Sequence, residues 1–73
     1  MTDREITLAL FGLLGCESSM VIHALVTIKR EVPLEVILEC EKEMTQMVSN
    51  LGTLIYPKLS QELKETLKGL GLL

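Results

Sequence analysis

The chain has 73 residues, 8.1 kDa of mass and a formal charge of -3, with a pI near 5.0. Its seven Lys and Arg residues are too few to coat a nucleic acid or an anionic membrane, which need clustered cations, and its length admits one domain, residues 1–73. A chain this short buries only about 60% of the surface it exposes when unfolded, yet 48% of its residues are hydrophobic and fifteen are leucine, so self-association is expected to cover the excess.

Thr2 and Glu5 form a capping-box pattern, so the first helix is expected to start near Asp3. Ile6, Leu10, Leu13 and Leu14 fall on one face, while Leu8 and Phe11 lie well around from it. An apolar arc that wide requires burial on two sides. Gly15 is placed to end the helix in a left-handed cap, and Glu17, Ser18 and Ser19 form a polar turn in which a serine can cap the next helix. Leu13, Leu14, Gly15 and Cys16 resemble a lipoprotein cleavage box, but Asp3 and Glu5 cancel the charge of Arg4 where such a signal needs a positive region. Glu17, Ser18, Ser19 and His23 interrupt the one candidate membrane span.

From Met20 to Arg30 two periods compete. Val21, Leu25, Ile28 and Val32 recur at helical spacing, with His23, Thr27, Arg30 and Glu31 opposite them. Ile22, Ala24, Val26 and Ile28 alternate as a strand would, in a segment rich in β-branched residues. The helix is the preferred reading, because a strand would find no partner in an otherwise helical chain unless a second copy supplies it.

Val32 precedes Pro33 and is pushed out of helical geometry, while Pro33 suits the first turn of a third helix running to about Ser49 or Asn50, with Gly52 as a stop. Ile37, Cys40, Met44, Met47 and Leu51 recur at alternating spacings of three and four, the pattern of a helix-to-helix seam. They are expected to form an oligomer interface, with Leu8 and Phe11 of the first helix covering it. Glu35, Glu39 and Glu43 stand on the opposite face and are candidate contacts for a basic protein partner. Together with Glu31 they form a like-charge column, which Lys42 relieves in part and which costs about 0.2–0.5 kcal/mol per neighbouring pair.

Leu54, Ile55 and Tyr56 read as an apolar connector, and Leu59, Leu63, Leu67 and Leu70 then mark one face of a helix begun by Pro57 and closed by Gly69 and Gly71. The expected fold is all-α: a small bundle of three to four helices, completed by homo-oligomerisation, with a dimer as first choice.

Chemistry-bearing residues are sparse. Cys16, His23 and Cys40 lack the tight local pairs of a zinc site, so no metal and no cofactor is expected. Two free cysteines fit a reducing, cytoplasmic setting. Glutamates on a solvated helical face have no cleft to shift their pKa values, so no enzyme activity is expected. Met20, Met44 and Met47 fit core filling better than an adaptable groove. The function expected is therefore that of a small acidic interaction module, an adaptor, inhibitor or regulator that binds another protein.

A second reading takes residues 22–29 as a strand. Strand, Pro33, helix and further helix then resemble the order of the ribbon-helix-helix family of dimeric DNA-binding regulators. The resemblance implies that His23 or Leu25, Thr27 and Lys29 enter the major groove. Leu25 departs from the polar pattern that role needs, as does the acidic helix after Pro33.

Overall fold

The structure is a computed structural model that describes residues 2–15, 17–46 and 51–73. Five helices are found among them: α1 (Asp3–Leu14), α2 (Ser18–Thr27), α3 (Leu34–Gln46), the single-turn α4 (Leu51–Ile55) and α5 (Pro57–Gly69). No strand occurs among the described residues, so the all-α expectation stands.

α1 is the centre of the bundle and packs against each of the other four helices. Six consecutive residues, Ile6 through Phe11, are buried, which goes beyond the two-sided burial expected from its apolar arc. Both ends form as the sequence implies. The Thr2 N–H donates to the Glu5 carboxylate at 3.0 Å, and the Glu5 N–H donates to the Thr2 hydroxyl at 3.1 Å. Gly15 adopts the left-handed conformation, φ 76°, and its N–H donates to the Phe11 carbonyl. Thr7, the one polar residue in the buried run, donates its hydroxyl to the Asp3 carbonyl at 2.7 Å and so carries no unmet donor into the core.

α2, α3 and α5 each contribute one stripe: Val21, Ala24 and Leu25 from α2, Ile37, Cys40 and Met44 from α3, and Leu63 and Leu67 from α5. Leu59 is half-buried against this core, whereas Leu70 lies beyond the end of α5 and is exposed. Leu72 turns back in its place. It follows Gly71 (φ 78°), and its N–H donates to the Leu67 carbonyl at 2.9 Å while that of Gly71 donates to Lys68, the paired bonds of a Schellman cap.

α2 ends in the same motif without a glycine. Lys29 holds the left-handed position at φ 58°, its N–H reaching the Val26 carbonyl at 3.0 Å and that of Arg30 reaching Leu25 at 2.9 Å. Several boundaries differ from expectation. Glu17, not a serine, precedes α2, and its side chain makes no capping bond. Pro33 sits just before α3 and accepts from the Ile37 N–H at 3.2 Å. Gly52 falls inside α4 instead of stopping a helix, and the supposed connector at Leu54 and Ile55 is helical, because that turn packs on α1.

The strand expected at 22–29 in the second reading is absent. α2 covers those residues through Thr27, whose hydroxyl donates back to the His23 carbonyl at 2.8 Å, and Leu25 is buried on α1's side of the helix. Helical burial of Val21, Ala24 and Leu25 outweighs β propensity once α1 offers a surface to pack on.

Candidate interaction surface

Ile37, Cys40 and Met44 lie on one side of α3, as their spacing demands, but that side is turned inward. All three are buried in the chain's own core, and α3 packs chiefly on α1. Leu8 and Phe11 are likewise buried on α1. Within the single chain these five residues, expected on an oligomer seam, are covered by the chain itself. Met47 lies outside the described residues, and Leu51 opens α4. The Cys40 thiol sits 4.0 Å from the Arg4 carbonyl oxygen, and burial pushes its pKa above the usual thiol value, with Arg4 opposing in part.

The acidic column does face outward. Glu35 and Glu39 are exposed, and Glu43, half-buried, is engaged by the Arg4 guanidinium across the α1–α3 contact. A second ion pair, Arg30 to Asp3 at 3.3 Å, ties the α2–α3 loop to the start of α1. Both pairs are partly solvent-exposed and each contributes about 0–1 kcal/mol. From Glu31 to Gln46 five glutamates stand against one lysine, a formal -4 in a chain whose total is -3. All the net negative charge therefore belongs to α3 and its approach, and the rest of the chain is net +1.

Outside the core, large apolar side chains remain in water. On α2, Ile22 and Val26 lie one turn apart, Val26 at 69% exposure. On α3, Leu34 and Leu38 do the same at 59% and 52%. Leu54 and Ile55 of α4 are also exposed. Sequence periodicity missed these because it found the stripe each helix buries and assigned the remainder to solvent, yet the remainder on α2 and α3 is itself apolar at a spacing of four.

Two shallow depressions share Leu59 and Glu62 on the side of α5. One, about 430 Å³, is lined by Glu5, Tyr56 and Pro57 among others; the second, about 280 Å³, by Ile6, Ile28 and Leu63. Neither gathers a nucleophile with a base. No group of three or more metal-ligating side chains converges among the described residues, and no helix there is long and apolar enough to cross a membrane. No protein-family model, no curated protein and no solved structure matches the chain.

Proposed function

We propose that the chain is a small, acidic, non-catalytic protein-protein interaction module, an adaptor, inhibitor or regulator, acting in the cytoplasm as a homo-oligomer. The observation that carries this reading is the pairing of exposed apolar residues one helical turn apart, Ile22 with Val26 and Leu34 with Leu38. Single exposed leucines are ordinary on any surface, whereas turn-spaced pairs repeat the geometry by which helices recognise helices. The buried free thiol of Cys40 suits a reducing compartment.

Self-association is assigned to the α2 pair, because α3 would bring like charges together. The test is native mass by light scattering over a range of concentrations. A dimer that Val26→Asp reduces to the 8.1 kDa chain supports the reading; a monomer at every concentration removes the homo-oligomer from it.

A further inference from the structure

The outward face of α3 combines two features that neither the core nor the self-association argument uses. Leu34 and Leu38 form an exposed apolar ridge, and carboxylates border it: Glu35 and Glu39 follow around one side of the helix and Glu41 flanks the other, with Lys42 the one cation between them. A helix advances about 100° per residue, which places the leucines in the middle of this arrangement, with the exposed Glu35 and Glu39 along one margin and the half-buried Glu41 along the other. The buried side beyond Glu41 is occupied, since Ile37, Cys40 and Met44 pack within the chain. Glu43 is held by Arg4 and belongs to the inner margin, leaving Glu35 and Glu39 as the carboxylates open to a newcomer.

What covers this ridge is constrained by charge. A second copy docking α3 on α3 would set -3 against -3, and like charges juxtaposed across an interface disfavour it. A neutral apolar surface would leave the bordering carboxylates partly desolvated without partners. A helix with a leucine-type stripe flanked by lysine or arginine meets both needs, filling the ridge and pairing the margin. We propose that α3 docks a basic amphipathic helix of another protein through Leu34 and Leu38, oriented by Glu35 and Glu39. The inference rests on the interaction-module reading and names the chemistry of its partner. At thirteen residues, or about 20 Å, α3 offers room for three to four turns of such a helix.

The test uses the whole chain, isotopically labelled, titrated with a synthetic amphipathic peptide of about 14 residues built from leucine and lysine, matched to the length of α3, and with its leucine and glutamate counterpart. Resonance shifts from the lysine peptide are expected to centre on residues 34–42, and binding is expected to weaken with added salt. Leu34→Ser with Leu38→Ser, and separately Glu35→Gln with Glu39→Gln, are each expected to weaken it by about tenfold or more. These side chains are exposed, so the variants retain the fold, which circular dichroism checks; shift mapping on the unaltered chain stands independently of them. Shifts centred on α2 or α5, equal binding of the glutamate peptide, or affinity indifferent to the serine variants would each overturn the proposal. The native mass of the chain alone is a separate reading, so loss of this docking site and loss of self-association are distinguishable.

Discussion

At the scale of single residues, the same spacing serves two different outcomes. Met44 was expected on a seam between copies and is instead fully buried against α1. Met44→Glu therefore introduces an unpaired charge into the core formed by the described residues. The cost of several kcal/mol is a large share of the roughly 4–11 kcal/mol available to a domain of this length. Circular dichroism is expected to show loss of helix, whereas a seam residue would give a folded, dissociated chain. Cys40 makes a second case. Its thiol pKa is raised by burial, so the stability tied to keeping it protonated is fully present below the ordinary value of 9.0 and is lost as pH rises from there through the folded value. Urea midpoints are expected to fall above about pH 9 in the unaltered chain and to fall less in Cys40→Ala. Native alkylation of Cys40 at neutral pH should be slow, limited by opening of the core. Ser60 shows what residue-level reading cannot anticipate: it sits on the buried stripe of α5 with Leu63 and Leu67, and its hydroxyl has no partner among the described residues.

At the scale of elements, ends were legible where a residue type carries its own geometry and obscure elsewhere. The capping box at Thr2, the left-handed glycines at 15 and 71 and Pro57 at the first turn of α5 could all be placed from the sequence, since each does something other residues do poorly. Lys29 takes a position that glycine usually fills, and no local signal marks it; the turn is held by Arg30, which bonds Asp3, and by the packing of Ile28 and Val32. α4 was hidden for a related reason, because one turn of helix is created by its contact with α1 and not by propensity. Two glycines test the capping argument. Gly15→Ala places a side chain at φ 76° and is expected to cost about 1 kcal/mol. Gly69 has no positive φ and open space around its Cα, so Gly69→Ala is expected to gain up to about 1 kcal/mol by restricting the unfolded chain. Thermal melts of the two variants should move in opposite directions. Had Gly15 a replaceable role, both would shift alike.

At the scale of the whole molecule, the accessible surface is 4483 Å², close to the roughly 4,500 Å² that size scaling gives for a folded monomer of this mass. The radius of gyration, 10.7 Å, is likewise near the 11 Å or so of a compact domain. The chain closes a core by itself, and the apolar excess in its composition appears as exposed helix edges in place of an open seam. That shifts the self-association argument from α3 to α2. It also sets what the mass measurement should find, namely a contact that Val26→Asp breaks while helix content is kept, since Val26 supports no part of the core. The proposed surface is half legible in the sequence: the glutamates of α3 stand out as an outward column, but the leucines beside them do not, because the periodicity of Ile37, Cys40 and Met44 marks only the buried stripe.

The central position of α1 has a consequence for how the chain comes into being. The helix whose run from Ile6 to Phe11 is buried throughout precedes α2, α3, α4 and α5, which cover it, in the chain. α2 and α3 follow within the next stretch of chain, but α5, whose Leu67 completes the core, follows only after some fifty further residues, which at ordinary translation rates is about 3–10 s. For that interval the side of α1 that α5 covers stays open on the nascent chain, and a message that slowed translation between α1 and α5 would lengthen it.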